Sequence, residues 1–112
     1  MTDPLDLDTL AGLSDATGND PAFLAELIDT YLADAPSLLT AMRDAMAAGD
    51  SATLRRAAHT LKSSSATFGA GRLADVCRRL EHGDGVAPAL VAQAEEEFSR
   101  VRTALVAARP EG

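Results

Sequence analysis

The sequence is poor in aromatic residues, which make up 4% of its 112 residues and include no tryptophan and one tyrosine. Alanine and leucine dominate the apolar residues instead, and no segment alternates with a period of two, so helices are expected rather than strands. Hydrophobic residues still make up 46% of the chain, which is enough for a core and argues against disorder. The length fits one domain, which we expect to span residues 1–112.

Cysteine is scarce as well, since Cys77 is the only one, and this excludes an internal disulfide and a cysteine-based zinc site. The chain has 10 basic and 17 acidic residues and a net charge of −7, which argues against a nucleic-acid partner. No run approaches the roughly 18 apolar residues of a membrane span, and the acidic N-terminus does not resemble a signal peptide. We therefore expect a cytoplasmic protein that does not contact membranes.

Capping residues and glycines divide the chain into helices. Asp20 followed by Pro21 is typical of a helix start, Asp50 is a second N-cap, and glycines at 69 and 83 indicate helix ends. Pro36 interrupts the second apolar stripe, which we interpret as one kinked helix rather than two helices. The predicted helices span residues 7–16, 21 to the AAGD stretch at 47–50, 51–68, 71–82, and a last helix that Pro88 opens before Pro110.

The short connections between these helices favour antiparallel neighbours. The predicted fold is therefore all-α, an antiparallel up-down four-helix bundle with a short additional N-terminal helix packed at one end. A ferritin-like metal bundle would need repeated Glu-x-x-His pairs on facing helices, and the sequence lacks them, so no metal site is predicted. No second apolar stripe is left for a dimer, and we expect a monomer.

His59 is predicted to face solvent on the third helix. At about 100° per residue it lies roughly 160° from Leu61, a residue of the core seam. Arg55, Arg56 and Lys62 lie within about 60° of the same direction, so an exposed imidazole stands in a small basic cluster. Ser63 and Ala66, also on this face, are small and leave room for another macromolecule.

This arrangement is suited to phosphoryl chemistry, although residue geometry alone also permits an ordinary solvated histidine. The three cations would stabilise a dianionic phosphoryl group or an acidic pocket on a partner. An exposed histidine has a neutral, nucleophilic ring nitrogen at neutral pH. His82, the second histidine, ends the fourth helix, where a cation meets the negative end of the helix dipole, and we interpret it as a capping residue.

The stretch AHTLKSSSATFGAGRLADVCRRLE, residues 58–81, resembles the signature of histidine-containing phosphotransfer (HPt) domains of bacterial phosphorelays. The first part of that pattern is matched by His59, Leu61, Lys62, Ser63 and Ser64. The second part is matched by Gly69, Ala70, Leu73, Cys77, Leu80 and Glu81. The resemblance extends over residues 7–105, and Ser63 stands where many members of the family have glycine.

The resemblance implies a phosphoryl carrier without kinase or phosphatase activity of its own. His59 would accept a phosphoryl group from an aspartyl phosphate on a response-regulator receiver domain and pass it to an aspartate on another receiver. A sensor histidine kinase would feed the relay, and the Mg²⁺ would belong to the receiver, so this chain needs no cofactor. Lys62, Arg55 and Arg56 would stabilise the phosphoryl group, while Ser63 and Ala66 would provide clearance.

A receiver is expected to dock on apolar side chains around His59. Helix-hairpin geometry places Met42 of the second helix level with His59, and Leu10 and Leu13 of the first helix could add to the surface. An equally good interpretation makes these three residues ordinary members of the core. The alternative function is a helical adaptor that binds a response regulator or another partner through the same face and never carries phosphate.

Overall fold

The computed structural model describes residues 3–110, which form five helices and no strand. The predicted domain limits at residues 1–2 and 111–112 lie outside the described residues. The all-α prediction is confirmed. The helices are α1 (Leu7–Ala16), α2 (Pro21–Ala48), α3 (Ser51–Thr67), α4 (Gly71–His82) and α5 (Ala87–Ala108).

Aspartate side chains begin the first three helices. Asp20 and Asp50 cap α2 and α3 as predicted, because their carboxylates accept hydrogen bonds from backbone N–H groups of the first turn. Asp6 also caps α1 in the same way, although no cap was predicted there. These caps satisfy donors that a helix cannot pair internally, and they fix where each helix enters the bundle.

The predicted helix ends are correct to within one residue. Pro36 lies inside a continuous α2, which confirms the interpretation as one helix rather than two. Helix α3 ends at Thr67 and not at Phe68, because Gly69 takes a left-handed φ of 79° and the Ala70 N–H donates to the Ser65 carbonyl at 2.9 Å. Helix α5 begins one residue before Pro88, since the Val86 carbonyl already accepts the first helical hydrogen bond.

Helices α2 to α5 pack in cyclic order, each against the next and α5 against α2, while α1 packs on α2 and α3. Side-chain pairs show that α2 and α5 are antiparallel. Arg43 pairs with Glu95 and Arg109 pairs with Asp29, so the start of α2 meets the end of α5. This is the predicted bundle, and it leaves one face of α3 uncovered.

The core lies between the four long helices. Its largest fully buried side chains include Ile28, Met42, Leu61, Leu73 and Leu105. Cys77 is buried as predicted, and burial raises the pKa of its thiol to about 12. No helix within residues 3–110 is long and apolar enough to cross a membrane.

The turn between α3 and α4 holds the N-terminal segment in place. The Asp6 N–H donates to the Gly69 carbonyl at 2.8 Å, just before α1 begins. A Cβ on Gly69 would lie 2.7 Å from the Asp6 carbonyl oxygen, so the two backbones approach more closely than any other residue type permits. Helix α1 is therefore fixed beside the C-terminal end of α3.

Candidate functional site

Helix α3 presents His59 to solvent because its opposite face is apolar and fully covered. Ala58, Leu61 and Ser65 have no exposed surface. His59 lies on the other side of the helix, and its side chain is 58% exposed, as predicted. The imidazole is therefore open to a partner along one edge of the bundle.

Glu81 of α4 joins His59 to Lys62. The Nδ1 atom of His59 lies within hydrogen-bonding distance of Oε2 of Glu81, and the Lys62 ammonium donates to Oε1 of the same carboxylate. These contacts form because α3 and α4 run antiparallel, which brings the last turn of α4 level with the middle of α3. The Glu81 side chain is only 19% exposed, so the carboxylate is held between the two helices.

Electrostatics keep Glu81 ionised. The hydrogen bond from the Lys62 ammonium lowers the pKa of the Glu81 carboxyl, partial burial opposes this, and His59 adds to the lowering. A carboxylate in this state only accepts hydrogen bonds. The edge of His59 that carries Nδ1 therefore faces a fixed negative charge.

His82 lies at the border of this site. It belongs to the last turn of α4. Its Nε2 atom lies 3.9 Å from Oε1 of Glu81, a longer separation than a hydrogen bond requires. The second histidine is thus close to the site without being part of its hydrogen-bonded core.

The surface around His59 is formed by small side chains. Ser63 and Ala66 are exposed, as predicted. The hydroxyls of Thr60 and Ser64 donate back to carbonyls of their own helix, each at 3.1 Å, and so do not project free donors toward a partner. A second macromolecule can therefore approach the imidazole closely.

A shallow apolar groove runs along the same edge, between α2 and α3. Its volume is about 440 Å³. Helix α2 contributes Leu27 and Leu38, and helix α3 contributes Thr60 and Ser64. Thr60 points about 100° away from His59 around α3, and Lys62 points about 60° away in the opposite direction, so the groove lies on the flank of α3 that faces away from Glu81.

Similarity to known proteins identifies the family to which this chain belongs. The family described as "Hpt domain" matches residues 26–108. The chain belongs to the Hpt domain family. Among solved structures it is similar to histidine-containing phosphotransfer protein B (HptB) from Pseudomonas aeruginosa PAO1, with 33% identity, a TM-score of 0.87, and coverage of 97% of this chain and 96% of that chain. No curated protein matched significantly.

In this Hpt domain, the three basic residues predicted to stabilise the phosphoryl group differ in how they relate to His59. Lys62 reaches the site through Glu81, as described above. Arg55 and Arg56 are exposed on the same helix, and Arg56 donates to the Thr53 hydroxyl at 3.3 Å. Within residues 3–110, no hydrogen bond or ion pair joins either arginine to His59, so their part in phosphoryl binding stays a prediction.

Two of the predicted docking residues of the Hpt domain are core residues in the structure. Met42 is 0% exposed and Leu10 is 8% exposed, so neither offers a contact surface, and the docking prediction is corrected for both. The position of Met42 along α2 was inferred from the hairpin, but the side of the helix on which it lies was not, and its side chain is buried in the core. Leu13 is half-buried and keeps some surface.

The contact residue that sequence reasoning missed is Glu81. It was noted as part of the resemblance, but no role was given to it. The signal that could have found it is the register of an antiparallel hairpin, because counting outward from the turn at Gly69 pairs the His59 region with the end of α4. Within residues 3–110, no group of three or more His, Cys, Asp and Glu side chains could hold a metal ion.

Proposed function

We propose that this Hpt domain carries a phosphoryl group on His59. The imidazole accepts the group from an aspartyl phosphate of a response-regulator receiver domain and passes it to an aspartate of another receiver. The observation that carries the proposal is the setting of the ring, which is 58% exposed, flanked by Ser63 and Ala66, and held along one edge by Glu81. Family membership supports histidine phosphotransfer in a phosphorelay as the general role.

The chemistry is an in-line displacement at phosphorus. A lone pair on a ring nitrogen of His59 forms the N–P bond, while the P–O bond to the receiver aspartate breaks and its electrons leave with the carboxylate. The reverse reaction loads the second receiver. Because the exposed ring can meet each receiver in turn, one surface serves both directions.

The partners follow from this exchange. We place the receiver domains on the His59 face and a sensor histidine kinase upstream of the relay, with the Mg²⁺ held by the acidic pocket of the receiver. The carrier itself needs neither a cofactor nor a kinase or phosphatase activity. We propose that it acts as a cytoplasmic monomer, which sedimentation at several protein concentrations would test.

Docking is proposed to use the α2–α3 groove rather than Met42 and Leu10. The groove is apolar, adjoins Thr60, and lies on the open side of His59, whereas the α4 side is filled by Glu81 and Lys62. A small, transient contact of this kind suits a carrier that must release each partner. Leu27 and Leu38 are the side chains that we expect a receiver to cover.

The test is intact-mass analysis after mixing the protein with a phosphorylated receiver domain and Mg²⁺. The parent should gain one acid-labile phosphoryl group, and His59→Gln should gain none. His82→Gln is the matched control, because it removes the other histidine, which lies at the border of the same site. Phosphorylation of His59→Gln, or a loss of phosphorylation in His82→Gln but not in His59→Gln, would refute the assignment of the acceptor.

If the parent binds a receiver through this face but no receiver transfers phosphate to it, the chain is an adaptor. The mass experiment should therefore be accompanied by a binding measurement with the same receivers. The two results together separate a carrier from a binding module.

A further inference from the structure

We infer that the Ser63 hydroxyl donates a hydrogen bond to the phosphoryl group carried by His59, and that this bond favours the loaded state of the domain. This inference rests on the proposed function. Ser63 is exposed on α3, and no hydrogen bond within residues 3–110 engages its side chain. A hydroxyl without a partner beside a phosphoryl acceptor is a donor that the arriving group can use.

The hydroxyls on either side of Ser63 along α3 are already engaged. Thr60, Ser64 and Thr67 each donate to a carbonyl of the preceding turn at 3.1 Å. The Ser65 hydroxyl is bonded in the core. A bond to the preceding turn is a common state of a serine or threonine within a helix. Ser63 is therefore the exception in this stretch, and its donor is not committed to the backbone.

Ser63 lies one turn beyond His59 on the same face of α3. The two residues are separated by about 40° around the helix, and residues at this spacing have Cβ atoms about 5–6 Å apart. Helical side chains lean toward the N-terminus of their helix, so Ser63 leans over the turn that carries His59. A phosphoryl group on the ring therefore brings oxygen acceptors beside the hydroxyl.

Ser63 also lies on the flank of His59 that faces away from Glu81. Because Nδ1 of His59 is bonded to Glu81, the phosphoryl group would be bonded to Nε2. Lys62, which shares Glu81, lies about 60° from His59 in one direction around α3, and Ser63 lies about 40° in the other direction. The Nε2 edge of the ring is therefore on the side of Ser63.

The basic side chains near the ring are less suited to this contact. Lys62 and Arg55 lie on the flank of His59 that faces Glu81, and the Lys62 ammonium is bonded to that carboxylate. Arg56 lies on the opposite flank, but its guanidinium donates to a threonine hydroxyl at 3.3 Å. The serine hydroxyl is thus the donor on this flank that is not bonded elsewhere.

The proposed hydrogen bond exists only in the loaded state. When the N–P bond to His59 forms and the P–O bond to the receiver aspartate breaks, a dianionic phosphoryl group comes to lie beside Ser63. The serine keeps its proton and donates a charge-assisted hydrogen bond. The unloaded domain has no such acceptor. The bond therefore stabilises phosphorylated His59 relative to the phosphorylated receiver and shifts the transfer equilibrium toward the carrier.

The first test loads the histidine without any receiver. Phosphoramidate transfers its phosphoryl group to imidazoles and releases ammonia, and a His82→Gln background leaves His59 as the only histidine. Phosphorus-31 NMR then follows the second ionisation of the phosphoryl group as the pH is varied. A donated hydrogen bond favours the dianion, so Ser63→Ala should raise the pKa of this ionisation.

Ser51→Ala is the matched control for this titration. It removes an exposed hydroxyl from the same helix, at about 12 Å from His59 along the helix axis. Its phosphorus titration should coincide with that of the parent. A Ser63→Ala titration that also coincides with the parent would overturn the inference.

The second test measures the equilibrium between phosphorylated receiver and phosphorylated carrier. Both proteins are free before and after transfer, so the equilibrium constant contains no contribution from contacts within their complex. Ser63→Ala and Ser63→Gly should each shift it toward the receiver by about three- to tenfold, as expected for the loss of one hydrogen bond. Ser51→Ala should leave the constant at the parental value.

The two Ser63 variants separate a hydrogen bond from steric clearance. Alanine removes only the hydroxyl, whereas glycine removes the whole side chain. If Ser63 served only to let a receiver approach, Ser63→Gly would accelerate transfer and neither variant would change the equilibrium constant. Helical circular dichroism should match the parent in all variants, because the side chain is exposed.

Failure of the proposed function has a different signature. Transfer through His59 with a parental equilibrium constant in both Ser63 variants would overturn the role of Ser63 alone. A parent that takes no phosphoryl group from any receiver would overturn the proposed function, and the phosphoramidate titration would then decide the contact with Ser63. A His59 ring that phosphoramidate cannot load either would overturn both.

Discussion

Beneath the exposed histidine face, Tyr31 and Ser65 form a buried polar pair across α2 and α3. The two hydroxyl oxygens are 2.8 Å apart. The tyrosine ring packs against Phe68 and Phe98, with centroids at 4.9 and 6.0 Å, and burial raises the pKa of the Tyr31 hydroxyl to about 12. Each hydroxyl satisfies the other where water cannot, so this pair fixes how the helix that carries His59 sits on α2.

We expect Tyr31→Phe to lower the free energy of unfolding by about 1–3 kcal/mol, because it leaves the Ser65 hydroxyl buried without its partner. Ser65→Ala should be destabilising for the reciprocal reason. The double variant should lose less than the sum of the single losses, since it leaves no unpaired hydroxyl. Urea unfolding measures all three, with the exposed Ser99→Ala as control, and additive losses would contradict the pairing.

At the scale of the elements, two connections fix where α3 begins and ends. Asp50 accepts a hydrogen bond from the Thr53 N–H at 3.1 Å and one from the Thr53 hydroxyl at 2.6 Å. At the other end, Gly69 reverses the chain and contacts the backbone before α1. The position of His59 in the bundle depends on both ends.

The Asp50 cap should make stability depend on pH. The hydrogen bond with the Thr53 side chain lowers the pKa of Asp50, followed by the bond from the Thr53 N–H. A folded pKa below the unfolded one gives a contribution that is present above the unfolded pKa and is lost as pH falls through the folded pKa.

Accordingly, Asp50→Ala should lower the melting temperature at neutral pH, and the difference from the parent should shrink as the solution is acidified below the usual range of aspartate. Asp50→Asn keeps a capping side chain that does not titrate, so its stability should change less with pH than that of the parent. Calorimetry across the acidic range is the measurement. An Asp50→Ala difference that grows on acidification would be inconsistent with the cap.

Gly49, between α2 and α3, is a matched control for Gly69 in the connection between α3 and α4. Both have left-handed φ values, 79° at Gly69 and 70° at Gly49, but a Cβ would meet the Asp6 backbone at Gly69 and nothing within 4 Å at Gly49. Gly49→Ala should therefore lose about 1–2 kcal/mol from backbone conformation alone. Gly69→Ala should lose more, because the N-terminal segment must also move. Chemical denaturation of both variants measures the two losses in free energy of unfolding. Equal losses would argue against the close contact at Gly69.

At the scale of the whole molecule, the bundle leaves a mostly apolar groove on one flank of α3 and the exposed His59 on the solvent face of the same helix, on a chain of net charge −7. The groove lies between α2 and α3, while Glu81 and Lys62 occupy the boundary between α3 and α4. In the proposed function, recognition and chemistry therefore use different flanks of one helix. Substitutions should be able to alter one without the other.

We expect Leu38→Asp to weaken receiver binding about tenfold or more, which corresponds to about 1.4 kcal/mol, because it adds a second carboxylate to a mostly apolar groove that Asp34 already lines. Its transfer rate at saturating receiver should stay near that of the parent. Val106→Asp alters an exposed apolar residue of α5 outside the groove and is the control. Titration calorimetry gives the affinities, and equal weakening by both variants would exclude the groove as the docking surface.

The sequence predicted the helices well because their limits depend on local chemistry, as at Asp20, Asp50 and Gly69. It also predicted that His59 faces outward, since the position of the core seam on one helix fixes the opposite face. It did not predict the role of Glu81, which depends on the register between two helices. The docking prediction for Met42 was wrong because the level along a helix was inferred without its rotation about its axis.

Cys77 gives the molecule a practical property. A thiol with no exposed surface and a raised pKa reacts slowly with alkylating reagents in the folded state. A cysteine introduced at an exposed position can therefore be labelled with a fluorophore while the native one is left in place. Conversely, the rate at which Cys77 itself is labelled would report how often the bundle opens. A slower rate with a receiver bound would show that the receiver holds the helices closed.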